Sequence, residues 1–157
     1  FYYRDTALYT VGTFETAPRI KAEGCTFQSC GISGIKPGTT TEKLLGKLQS
    51  DGALSIIDKK GAKKEGTLCT GDSVRNTYDN GLAIFDLPIV IYGDVDGSGK
   101  IDKDDITALQ KHLIRSSILG GPYLIAADVN HDETVDIMDM IRLIQYVSDD
   151  AKITQED

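Results

Sequence analysis

The chain has 157 residues, 40% of them apolar and 26% charged, which suits one mid-sized domain or two small ones and excludes wholesale disorder. Its net charge of −7 argues against nucleic acid or an anionic membrane as the main partner. No apolar run approaches the ~20 residues needed to span a bilayer.

The opening FYYRDTALYT lacks the basic n-region and apolar core of a signal peptide, so the chain reads as a mature segment or a piece of a longer protein. Residues 1–92 read as mostly β with one helix. Short segments rich in β-branched or aromatic residues predict strands at Leu8–Val11, Gly31–Ile35, Ala53–Ile57, Gly66–Thr70, Asp72–Thr77 and Leu82–Tyr92. Turn signals separate them at Lys36-Pro37-Gly38, Ser50-Asp51-Gly52, Lys59-Lys60-Gly61 and Asp79-Asn80-Gly81. Residues 39–48 predict a helix, with a Thr N-cap followed by an acid and with Leu44, Leu45 and Leu48 on one face. Strands and a helix around one small core imply a compact β-rich α+β domain.

This half shows no catalytic set. Glu15, Glu23, Glu42 and Glu65 are scattered without a glycosidase-type pair, and Cys25, Cys30 and Cys69 lack metal-ligand spacing. One disulfide with a leftover thiol, or three thiols, both fit the odd cysteine count, so the redox compartment stays open. Phe1, Tyr2, Tyr3, Tyr9 and Phe14 fit either a strand core or a sugar-stacking platform, which would give this half a polysaccharide contact.

At Gly93 the pattern changes. The β run Ile89-Val90-Ile91-Tyr92 leads straight into Asp94-Val95-Asp96-Gly97-Ser98-Gly99-Lys100-Ile101-Asp102-Lys103-Asp104-Asp105, with no flexible linker, so the two halves are expected to abut rigidly. A second copy, Asp128-Val129-Asn130-His131-Asp132-Glu133-Thr134-Val135-Asp136-Ile137-Met138-Asp139, begins 34 residues later. Oxygen-bearing side chains fall at positions 1, 3, 5, 9 and 12 of both, the ligand spacing of a 12-residue EF-hand-type calcium loop. The candidate ligands are Asp94, Asp96, Ser98, Asp102 and Asp105, then Asp128, Asn130, Asp132, Asp136 and Asp139. Lys100 and Thr134, at position 7, offer backbone carbonyls.

Calcium takes six to eight hard oxygens, and a tight loop aims alternate side chains inward. Each loop gathers four carboxylates, so two Ca2+ ions would cancel four of eight negative charges, and the fold should depend on calcium. Position 8 is Ile101 or Val135, placed to let the loops pair and feed a core. Two departures from the EF-hand pattern stand out. Position 12 is Asp where Glu is usual, and position 6 is Gly99 in the first loop but Glu133 in the second, which should make the second site the weaker. His131, at non-ligand position 4, and His112 are expected on the surface. Apolar stripes follow each loop, Ile106/Leu109/Leu113 and Met140/Leu143/Val147, predicting exiting helices. A β run enters the first loop directly, so each unit reads as a half-hand, loop then helix. Residues 149–157 are expected to be a frayed tail apart from Ile153.

Paired half-hands opening Gly-Asp-Val-Asp or Ala-Asp-Val-Asn and ending in Asp resemble the dockerin family over residues 93–148. That resemblance implies an all-α module with two Ca2+ ions that binds a cohesin on a scaffoldin or cell-surface anchor. The setting it implies is a bacterial extracellular polysaccharide-degrading complex, a cellulosome or a relative such as an amylosome. The block from Gly34 to Tyr92 more loosely resembles the X modules that precede some dockerins, implying an Ig-like sandwich that supports its neighbour, with residues 1–20 an extra strand or linker. Carried onto this chain, the family's partner-binding positions are Lys103, Asp104, Thr107, Ala108 and Lys111, then Ile137, Met138, Ile141, Arg142 and Gln145. The residues themselves favour the second set. Ile137, Met138, Ile141 and Ile144 lie off the core stripe and make that helix apolar over most of its circumference. The same face could instead pack on the β-rich half or the other helix. A calcium-stabilised structural or adhesive segment is the remaining alternative.

Overall fold

The computed structural model describes residues 21–22, 24–28, 31–50, 52–77, 83–148 and 152–155. The expected strand at Leu8–Val11, the aromatic set from Phe1 to Phe14, Glu15, Glu23, Cys30 and the turn Asp79-Asn80-Gly81 lie outside these residues.

In the β-rich half, β1 (Lys21–Ala22) pairs antiparallel with β4 (Leu48–Gln49), and β2 (Thr26–Gln28) with β3 (Gly31–Ser33). β5 (Ala53–Ile57), β6 (Ser73–Thr77) and β7 (Ala83–Pro88) form an antiparallel sheet in that order. Among the described residues this gives three small sheets in place of the two large facing sheets of an Ig-like sandwich. Ile32, Ile35, Leu44, Leu48, Ile56, Leu68, Val74, Leu87, Ile89 and Ile91 form one buried core.

β1 and β2 were not expected, the strand expected to reach Tyr92 ends as β7 at Pro88, and two further elements differ in kind or length. Helix α1 spans only Thr41–Leu45: Thr40 caps it by accepting from the Lys43 amide at 3.4 Å, and Gly46 ends it. Leu48 is buried as expected, but from a strand. The expected strand Gly66–Thr70 is a turn, with a single bridge from Thr67 to Thr40. Asp72 explains this: its Oδ2 folds back to accept from the Cys69 amide at 2.8 Å and from Lys64 Nζ at 2.6 Å, drawing that amide away from a ladder.

The junction between the halves is buried on both faces. Along 89–92 the side chains alternate as in a strand, Ile89 and Ile91 entering the β-rich core while Val90 and Tyr92 pack with Ala126, Ile125 and Ile153. None of the four is more than 3% exposed.

Beyond the junction the described chain forms helices only. α2 (Lys103–Leu113) and α4 (Ile137–Val147) follow the two loops and meet across a core of Val95, Leu109, Ala127 and Leu143. Ile101 and Val135 border that core, so the position-8 residues do feed it, although no backbone bridge joins them among the described residues. Leu113 and Met140 pack on the same cluster. A third helix, α3 (Pro122–Ala127), runs into Asp128, so the second unit is not a bare half-hand. Its signal in the sequence is Gly121-Pro122, a proline at the first helical position after glycine.

The expectation of a frayed tail fails for residues 152–155. Gln155 is buried, its Oε1 accepting from the Tyr92 amide at 2.9 Å and its Nε2 donating to the Tyr92 carbonyl at 2.8 Å. A polar side chain matching both backbone groups of one buried residue offsets their desolvation, and Ile153 adds apolar contact.

Candidate functional site

The first loop is built so that its calcium-position residues also hold its backbone. Asp94 Oδ1 accepts from the Gly99 amide at 3.1 Å, and its Oδ2 from the Thr70 amide at 2.7 Å. Asp96 Oδ1 accepts from Ser98 at 2.8 Å, and Ser98 Oγ from Lys100 at 3.4 Å. Asp105 Oδ1 takes the amides of Val95 at 2.7 Å and Asp96 at 3.0 Å, so position 12 closes the loop onto its start. Asp102 and Asp105 double as the capping box of α2: Asp102 Oδ1 accepts from Asp104 at 2.9 Å, and Asp105 Oδ2 from the Asp102 amide at 2.8 Å.

One oxygen from each of Asp94, Asp96 and Asp105 lies within 4.8 Å of the others. Asp94 and Asp105 are wholly buried. Burial pushes the Asp94 carboxyl above the usual carboxylate range, and burial with repulsion from Asp96 and Asp94 pushes Asp105 up to about 7, against the amides that favour its charged form. Among the described residues the ion pairs are Lys63–Glu65, Lys64–Asp72 and Arg75–Asp86, so no basic side chain neutralises the loop. Convergent hard oxygens, two of the three carboxylates buried and Asp96 exposed, without a cationic side chain fit a divalent cation such as calcium.

The second loop repeats the frame. Asp128 accepts from Asp132 at 3.2 Å and from Glu133 at 3.0 Å, Asp132 Oδ1 from Thr134 at 3.0 Å, and Asp139 from Asn130 at 3.2 Å and Asp136 at 2.9 Å. Asp136 and Asp139 form the capping box of α4. Burial, with Asp128 adding repulsion, raises the Asp139 carboxyl. Position 3 is Asn130, whose Nδ2 donates to Asp132 at 2.7 Å, so the three-carboxylate cluster of the first loop has no counterpart here among the described residues. Glu133 and His131 both adopt left-handed backbone, φ 67° and 61°.

Both histidines are more engaged than expected of surface residues. His131 is half-buried, its ring edge-on to Tyr92 with centroids 4.2 Å apart and its Nε2 3.0 Å from the Thr154 carbonyl. His112 Nδ1 accepts from the Leu119 amide at 3.1 Å.

On the helix exteriors Lys103, Asp104, Thr107 and Lys111 are exposed, as are Ile137, Met138, Ile141, Arg142, Ile144 and Gln145. Ala108 is the exception: it is half-buried and packs on the α2/α4 core. Ile137 and Met138 are each 51% exposed, Ile141 and Ile144 each 42%. This face is covered by neither the β-rich half nor α2. Its apolar residues recur at i, i+4 and i+7, one stripe of α4 beginning at the second capping box.

Residues 92–154 match the family model for the dockerin type I domain. Modules of this cellulosome type bind calcium and cohesins and are non-catalytic. The match runs through Ile153 and Thr154, the segment that packs back on Tyr92 and His131. No curated protein and no solved structure matches the chain.

Proposed function

We propose that the chain is a calcium-dependent protein-docking module. Residues 93–148 hold two Ca2+ ions, one through Asp94, Asp96, Ser98, Lys100, Asp102 and Asp105 and one through Asp128, Asn130, Asp132, Thr134, Asp136 and Asp139, and present α4 to a cohesin of a scaffoldin or cell-surface anchor. The β-rich half, residues 1–92, acts as an X-module-like support. The assembly served is an extracellular bacterial polysaccharide-degrading complex, a cellulosome or a relative.

The observation that carries this reading is the uncovered stripe Ile137, Met138, Ile141 and Ile144 on a helix whose first turn is capped by loop ligands. Four large apolar side chains left in water on one short helix are the composition of an interface centre, and Arg142 and Gln145 at its edge supply a polar rim. The first helix offers Lys103, Asp104, Thr107 and Lys111 at matching positions, a charged surface without such an anchor. The two helices therefore differ enough to favour one binding orientation through α4.

Calorimetry of the full chain against a panel of immobilisable cohesins, with and without calcium, tests the proposal. Binding should require calcium and should fall at least 100-fold in the Met138→Asp/Ile141→Asp double variant, about 2.7 kcal/mol for two buried anchors, with the melting temperature unchanged. Retained binding in that variant would move the interface to α2. Calcium uptake with no cohesin bound from the panel would leave the structural or adhesive segment as the better reading.

A further inference from the structure

The two loops share a ligand pattern but not their surroundings. Among the described residues Asp128 takes amides from its own loop, those of Asp132 and Glu133. Asp94 takes one from its own loop and one from Thr70, 24 residues upstream in the β-rich half. Thr70 is itself held in place. Its hydroxyl accepts from the Ile91 amide at 3.1 Å and lies 3.2 Å from the Ile91 carbonyl. Gly71 donates to the Ile89 carbonyl at 3.0 Å, and Ile89 to the Asp72 carbonyl at 2.7 Å. The turn 68–72 is thus riveted to the run that ends two residues before Asp94.

The same turn presses on the loop's two glycines. A Cβ on Gly97 would stand 2.7 Å from the Thr70 carbonyl oxygen and 2.7 Å from the Tyr123 ring, and one on Gly99 2.7 Å from the Leu68 carbonyl oxygen and 2.9 Å from Cys69 Sγ. Both glycines are left-handed, at φ 73° and 83°. Handedness alone does not demand glycine in this frame, because His131 and Glu133 occupy the equivalent positions of the second loop at φ 61° and 67°. What excludes a side chain from the first loop is the backbone wall.

We infer that the first calcium site is composite: the Thr70 amide is a positioning group for the ligand Asp94, and the backbone of 68–70 is the outer wall of the loop. The inference rests on the calcium reading above and goes beyond it, since it gives the β-rich half a hydrogen bond to a ligand of the first site that the second lacks among the described residues. The first site is accordingly pre-organised from outside and binds calcium the more tightly, and its occupancy is coupled to the order of the 68–72 turn.

Calcium titration of the chelated full chain by calorimetry, with the metal alone as probe, tests this. Gly97→Asn and Gly99→Asn introduce a side chain that tolerates left-handed backbone, so steric contact with the wall is the main perturbation. Each should weaken the tighter of two sites about tenfold, whereas His131→Asn and Glu133→Asn should change neither site more than about twofold. A Gly97→Asn chain with unaltered affinity at both sites would overturn the inference. Should the glycine variants fail to fold, amide exchange on the unaltered chain decides: Thr70 should lose protection about tenfold or more on chelation, and equal exchange with and without calcium would overturn it. No calcium uptake by the unaltered chain would overturn the docking reading together with this inference. Calcium-dependent docking that survives intact in Gly97→Asn, with both sites unchanged, sinks this inference alone.

Discussion

Gln155 offers a sharp test of how the module is closed. Its side-chain amide hydrogen-bonds both backbone groups of the buried Tyr92, 63 residues away, and the residue is only 7% exposed. Gln155→Ala removes both bonds and strands a buried N–H and a buried C=O, each costing roughly 1–3 kcal/mol if left dry. Taking the low end for each, as when water enters the space left behind, the total is about 2 kcal/mol. For a chain of this size that is a fall of roughly 4–8 °C in melting temperature with calcium present, read by calorimetry or circular dichroism. Gln155→Glu separates hydrogen bonding from packing. It keeps the shape and the acceptor for the Tyr92 amide but sets a carboxylate oxygen against the Tyr92 carbonyl, so it should destabilise at least as much as alanine. A Gln155→Glu chain melting within about 1 °C of the parent would show that shape alone holds the tail, and the reasoning would fail.

Chelation should lower the melting temperature and loosen residues 93–148, because Asp94 and Asp105 in the first loop, and Asp139 beside Asp128 in the second, then hold buried carboxylates near like charge without a cation. Identical melting in EDTA and in calcium would contradict the metal assignment. The pH dependence of the calcium-free form has a definite sign. Asp105 keeps its proton to about 7 in the folded chain, well above its value unfolded, so the native state binds more protons than the unfolded one in between. Calcium-free stability therefore falls as pH rises from about 4 to about 7, and the rise in melting temperature produced by calcium should be larger at about pH 8 than at about pH 5. A calcium effect that does not vary with pH would remove Asp105 from the ligand set.

The loops and their exiting helices were readable from the sequence because each rests on local chemistry. The spacing of Asp94, Asp96, Asp102 and Asp105 also writes the capping box that starts α2, so ligand pattern and helix boundary come from the same residues. Strands β5 and β6 were readable from β-branched composition between turn signals. What was not readable depends on distant partners. Gly66–Thr70 has the composition of a strand, yet Asp72 and the 89–91 run bend it into a turn against the first loop. Gln155 looked like part of a polar terminus because nothing local announces the Tyr92 backbone groups. Helix α3 went unpredicted because PYLIAA is too short for a clear period, leaving Gly121-Pro122 as the only hint. The glycine at position 97 could be taken for a flexible loop residue until the Thr70 carbonyl was seen against it.

The alternation along Ile89–Tyr92 has a consequence for anyone who would transplant this module. The composition changes at 92/93, which invites a cut there, but a cut leaves the graft without Val90 and Tyr92 against Ala126 and leaves its Asp94 without the Thr70 amide. A graft beginning at residue 93 would carry an unprotected apolar face into its new host and invite self-association. The unit that can be moved between proteins without repair is longer than the repeat: it runs from the β-rich half through Gln155, and its ends are set by what is buried.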